Sequence, residues 1–171
     1  MSKSKGNFLM MKETLEKFSS DATRFACADA GDSMDDANFS RETADNAILS
    51  LINEEAWITE TLAKPDLRRD EELNFMDQVL MNETNRLITA ATTAFKGMQF
   101  RDGLQKGWFE MLLARSEYRA WCQDSGLSEH QDVVRRWAET LVILICPICP
   151  HWYVCGNRID FMLVGSHSLF L

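Results

Sequence analysis

Proline and glycine are scarce in this chain. Three prolines and eight glycines among 171 residues are too few for a collagen-like or low-complexity sequence. Long apolar runs are missing as well. The longest, Leu141 to Cys146, falls far short of the ~20 residues that a membrane-spanning helix needs. Near the N-terminus, Lys12, Glu13, Glu16 and Lys17 interrupt any apolar stretch, so no secretory leader is expected. Basic residues are not in surplus: the net charge is -8, which argues against a generally basic nucleic-acid binder. A local basic patch stays open, because charges act over about 8–10 Å at ordinary salt. The first part of the chain has such a bias, with Lys3, Lys5, Lys12, Lys17 and Arg24 outnumbering Glu13, Glu16 and Asp21. The five cysteines are odd in number and irregularly spaced. They offer no disulfide framework, and reduced thiols in the cytosol are expected.

What the chain does have is apolar residues, 46% of the total, set out with a helical period. From Ser40 to Ala63 they fall at Ala44, Ile48, Leu51, Ile58 and Leu62, one face of a helix. Pro65 ends it, because proline disfavours helical geometry in the residue before it. Asp70 then offers an N-cap, with Glu71 and Glu72 in the first turn. That predicts a second helix to Phe95, with Leu73, Met76, Leu80, Leu87 and Ala94 inward and Gly97 as its stop. A third helix is predicted over Phe100–Asp124, striped by Leu104, Trp108, Met111, Tyr118 and Cys122 and capped by Gly126. Gly103 and Gly107 weaken its first turns by up to ~1 kcal/mol each. Ser128 with Gln131 forms a capping-box pattern for a fourth helix. Its core face is Val134, Trp137, Leu141 and Ile145, and Cys146-Pro147 ends it.

Before Ser40 lie an amphipathic stretch at Met11–Phe18, a helix capped by Ser19 or Ser20 and running through Ala30, and the acidic connector "AGDSMDDANF". Short connections between four amphipathic helices predict an all-α chain: a connector segment followed by an antiparallel helical bundle. Residues 153–171 show no helical period. Trp108 and Trp137 lie on apolar stripes and are read as core. Glu55, Glu83 and Arg115 are polar residues within stripes, read as buried pairs or as an RNA-facing set.

Two constellations bear on chemistry. "CPICPHWYVC" brings Cys146, Cys149, His151 and Cys155 close together. Structural zinc sites join two separated ligand pairs, and here Pro147 and Pro150 suggest a helix-ending turn, so no metal site is expected. The second is the opening "MSKSKGN". Lysine ammoniums supply charge on flexible stems, small serines let backbone approach, and Gly6 permits a turn whose N–H groups can nest an anion. That composition suits a loop closing over phosphates, where cations stabilise developing charge. It also suits an ordinary exposed terminus.

"MSKSKGN" resembles the signature loop of class I aminoacyl-tRNA synthetases, lysine-methionine-serine-lysine-serine, without its first lysine. The next stretch, "FLMMKETLEKFSSDATRFACADAGDSMDDANF", is similar to the segment after that signature in cytosolic-type (eukaryotic and archaeal) leucyl-tRNA synthetases. "FRDGLQKGWFEMLLARSEYRAW" and "PICPHW" resemble that family's anticodon-binding helical domain. The resemblance covers about residues 1–152. It implies three parts: residues 1–39 as the end of the catalytic domain, 40–152 as the anticodon-binding bundle, and 153–171 as a divergent tail, expected from an alternative or misread exon end.

By the same resemblance, ATP is a substrate, with Mg2+, in the activation of leucine that precedes transfer to tRNA(Leu) in the cytoplasm. Lys3 is the implied catalytic residue, on the departing pyrophosphate, with Ser2, Ser4 and Lys5 also at the ATP phosphates. Arg101, Arg115 and Arg119 are candidate tRNA contacts, set against ordinary salt bridges. The nucleotide-binding half, amino-acid pocket and editing domain of the family have no counterpart here, so the chain is expected to be an inactive fragment. The alternative is a non-catalytic helical module binding tRNA or a protein.

Overall fold

The computed structural model describes residues 9–31, 39–69 and 72–152. It contains α1 (Met11–Ala30), α2 (Arg41–Leu62), α3 (Phe75–Lys96), α4 (Phe100–Leu104), a π-helical turn (Gln105–Phe109), α5 (Glu110–Asp124) and α6 (Gln131–Ile145). The described residues are all-α, as expected. Their one β-type pairing is an isolated parallel bridge between Arg68 and His130.

Local chemistry explains most of the boundaries. The Ser40 hydroxyl accepts from the Thr43 amide at the start of α2, and the helix ends at Leu62, ahead of Pro65. Ser19 breaks α1 with φ 68 and ψ 168. Its hydroxyl accepts from the Ala22 amide at 3.4 Å, so it caps the second half of α1 as its sequence position suggests. At the end of α5, Gly126 takes φ 64. The Leu127 amide donates to the Cys122 carbonyl at 2.9 Å, closing the turn expected of a glycine there.

Three expectations are corrected. The helix expected to start at Asp70 starts at Phe75, capped by Asn74 in a reciprocal box with Asp77; Asp70 and Glu71 lie outside the described residues. At its other end the helix stops at Gly97 as expected, with the left-handed conformation taken by the next residue, Met98 (φ 57). The helix expected over Phe100–Asp124 widens into the π turn between α4 and α5. The fourth helix starts at Gln131, and its N-cap position is His130, without a side-chain cap. Residues expected to cap it hold Arg68 instead. The Arg68 amide donates to the Glu129 carbonyl and the Gln131 amide donates to the Arg68 carbonyl, both at 2.9 Å. The Ser128 carbonyl accepts from Arg68 Nε at 2.7 Å.

Residue pairs fix the helix directions. Phe95 meets Gly103, Ala91 meets Gly107, and Arg86 reaches Glu110, so α3 runs antiparallel to the α4–α5 run. Leu144 meets Gly107, the Trp137 indole donates to the Met111 carbonyl, and the His130 amide donates to the Tyr118 hydroxyl, so α6 also runs antiparallel to it. The Trp57–Trp137 and Leu51–Trp152 contacts set α2 antiparallel to α6. All five residues of the third predicted stripe are buried, as are Val134, Trp137, Leu141 and Ile145. The core also takes in Phe18 and Phe25 of α1, so it is continuous across the expected 39/40 boundary.

Gly103 marks the tightest approach. A Cβ there would lie 2.4 Å from the Phe95 ring. Gly103→Ala is therefore expected to destabilise by about 1–3 kcal/mol through overpacking, although alanine is the better helix former by ~1 kcal/mol. The urea midpoint checks it, and adding Phe95→Leu should recover part of the loss.

Candidate nucleic-acid interface

Ser2, Lys3, Ser4 and Lys5, the expected phosphate-contacting residues, lie outside the described residues. The described structure picks up at Leu9, and α1 follows. Its second half is fastened to the turn after α6 by side chains. Arg24 donates from Nε to the Ile148 carbonyl and from its terminal nitrogen to the Pro147 carbonyl, each at 2.8 Å. These are backbone acceptors at a helix C-terminus, where a cation is favourable. The buried Asp21 carboxylate accepts from the Trp152 amide at 2.7 Å and lies 2.8 Å from His151 Nδ1. The Ser20 hydroxyl is 3.3 Å from the same ring nitrogen.

The three candidate arginines are not brought together. Arg115 is interior. Its side chain is 11% exposed, paired with Glu54, and its guanidinium lies 4.1 Å from the Trp57 ring centre and 5.1 Å from that of Trp137. Burial raises the Glu54 carboxyl above its ordinary value, against the pull of the Arg115 charge. Arg119 is half-buried, 3.4 Å from Glu129, with its guanidinium 5.3 Å from the Trp57 ring centre. Arg101 is exposed and packs beside Gly31. Helical rise puts it roughly 20 Å from Arg115. Of the polar residues noted within stripes, Glu83 forms an exposed pair with Arg86. The buried partner of Arg115 is Glu54, one position from the expected Glu55.

Two exposed arginines, Arg69 and Arg136, were not among the expected contacts. Arg69 donates to the Gln131 side-chain carbonyl at 2.6 Å and Arg136 to that of Asn85 at 3.0 Å. Both bonds go to neutral amides and leave the positive charge outward. The doubled arginines Arg68-Arg69 and Arg135-Arg136 were the available signal. Arg86 and Lys106, by contrast, share the carboxylate of Glu110.

A buried polar latch is a further feature that the sequence did not reveal. One terminal nitrogen of Arg68 donates to both Asp77 oxygens, at 2.7 and 2.8 Å. The Tyr118 hydroxyl donates to Asp77 at 2.6 Å and accepts from the His130 amide at 2.9 Å. The latch ties the connector after α2 to the starts of α3 and α6.

Among the described residues, no group of three or more His, Cys, Asp or Glu could hold a metal ion. Cys149 is buried with its thiol pushed up, chiefly by burial, and Cys155 lies outside the described residues. Among those same residues, no helix is long and apolar enough to cross a membrane.

Two family models match. Residues 77–153 match the anticodon-binding domain of tRNA ligase, and residues 1–58 match the class I (M) tRNA synthetases. The cytoplasmic leucine–tRNA ligase of Arabidopsis thaliana is 40% identical over 153 residues, covering 89% of this chain and 14% of that protein. The chain belongs to the leucyl-tRNA synthetase family. The leucine–tRNA ligase of the archaeon Aeropyrum pernix is 33% identical over 165 residues, covering 92% of this chain and 17% of its own length. That of Pongo abelii, also cytoplasmic, is 38% identical over 168 residues, covering 95% and 14%. This last match spans more than residues 1–152 contain, so the likeness reaches into the tail expected to be unrelated. The chain spans about one-seventh of the length of the cytoplasmic synthetases it matches.

Proposed function

We propose that this chain supplies the end of the catalytic domain and the anticodon-binding bundle of a cytoplasmic leucine–tRNA ligase. In that enzyme leucine is activated by ATP, with Mg2+, and transferred to tRNA(Leu). The observation that carries the reading is the shared sequence of the synthetase segment and the bundle, in the order that the family has. Residues 1–39 lead into the bundle at 40–152. Lys3 contacts the phosphates and stabilises charge on the leaving pyrophosphate, with Ser2, Ser4 and Lys5 shaping the loop. No residue of this chain is proposed as a Mg2+ ligand. The bundle takes tRNA through phosphate and sugar contacts, read by shape. Arg101 and the half-exposed Arg119 are suitably exposed for this, along with Arg69 and Arg136. Arg115 serves the bundle from within.

The isolated chain should be inactive in leucine-dependent ATP–pyrophosphate exchange, because one lysine cannot replace a substrate pocket and the positioning it provides. In a full-length ligase carrying residues 1–152 of this chain, Lys3→Ala should lower exchange by about 10²–10³-fold. An unchanged rate would overturn the role of Lys3. Exchange by the isolated chain at a full enzyme's rate would overturn the reading of it as one part of an enzyme.

A further inference from the structure

The seam between α1 and the turn after α6 has a property that the bundle's apolar contacts lack. Residues 147–152 hold two adjacent helix ends, each with backbone groups to satisfy. On one side are the Pro147 and Ile148 carbonyls, just past α6. On the other is the Trp152 amide in the helical residues 150–152, which start at a proline suited to a first turn. A local N-cap would come from the residue at 149, but that is Cys149, whose thiol is directed to the Asp21 carbonyl at 3.7 Å. The acceptor at the helix start is the Asp21 carboxylate, across 131 residues of chain. The carbonyls on the other side are met by Arg24, three positions on from Asp21 and one turn along the same helix.

We propose that Asp21 is a positioning residue, acting as an N-cap in trans for the helical segment that starts at Pro150. With Arg24 it makes the order of that segment and the order of α1 beyond Ser19 a single event. SKSKGN precedes α1 by a few residues in the sequence, and the seam anchors the half of α1 beyond the Ser19 break, so through that half it sets where the chain carrying SKSKGN leaves the bundle. Only this catalytic consequence rests on the reading of function above. Asp21 touches no substrate; it acts through the backbone of Trp152.

The test compares Asp21→Ala with Asp21→Asn, since an asparagine carbonyl can still accept from the Trp152 amide. By hydrogen exchange on this chain, Asp21→Ala should lose protection at the Trp152 amide and at 20–30 together, while α3 and α5 keep theirs. Asp21→Asn should restore most of it. In the ligase carrying residues 1–152, Asp21→Ala should lower kcat for ATP–pyrophosphate exchange about 10–100-fold, with tRNA affinity unchanged. Asp21→Asn should recover it. Unchanged protection at 20–30, protection lost from every helix alike, or no recovery with asparagine would each overturn the proposal. An unaltered hybrid ligase with no activity would overturn the reading of function, and the exchange pattern would still decide the seam.

Discussion

Trp108→Ala is expected to lower the stability of the chain by about 3–5 kcal/mol, a loss read directly from the urea midpoint. Trp108 is fully buried in the π turn. Its ring meets Phe25 of α1 edge-on with centroids 6.0 Å apart, and Trp152 at 5.4 Å. Edge-to-face pairs of this kind add stability beyond the area they bury. Removing the indole takes away what α1, α5 and the turn after α6 share, and a cavity of that shape cannot close by movement of one helix. Trp108→Phe should cost much less. The Trp108 indole nitrogen makes no hydrogen bond among the described residues, so phenylalanine gives up no polar contact.

Asp77→Ala should cost about as much, about 3–5 kcal/mol, because it removes the carboxylate that balances the Arg68 charge in a mostly buried site. It also frees the Tyr118 hydroxyl and the Asn74 amide that Asp77 now satisfies. The pH dependence has a definite sign. Burial pushes the Asp77 carboxyl up, but hydrogen bonds from Arg68, Tyr118 and the Asn74 backbone outweigh it, and the net direction is down. A carboxyl held below its unfolded value adds stability that is complete above that value, near ~4, and is lost as pH falls through the folded value. The gap in urea midpoint between the unaltered chain and Asp77→Ala should therefore be widest near neutral pH and narrow below about pH 4. A constant gap would show that the carboxylate's charge contributes nothing.

The helical faces were legible because burial follows the 3.6-residue period. Leu51, Ile58, Leu87, Leu141 and Ile145 are buried where their spacing puts them. Ser19 and Gly126 were legible because few residue types suit a cap or a left-handed turn. The π turn was not. Leu104, Trp108 and Met111 keep helical spacing through it, and the widening leaves no mark on the order of apolar residues. Asp77 reads as a surface carboxylate until Arg68 and Tyr118 are seen around it, one of them 41 residues away. Arg115 stands out in the sequence as a polar residue on a core stripe. Whether it met RNA or a carboxylate depended on Glu54, in a different helix. Distant side-chain partners of this kind leave no local pattern. Arg69 and Arg136 failed to stand out for a further reason: the overall negative charge hides a small outward set of cations.

The seam also bears on how the chain comes to be folded. α1 can lean on α2 as soon as both exist, but its polar anchors are residues 147–152. The bond from Asp21 to His151 spans 130 residues, among the longest-range contacts in the fold and so among the costliest to close early. In synthesis, these partners of Asp21 and Arg24 emerge only after the helices of the bundle. A turn made after the bundle's helices locks α1 in place.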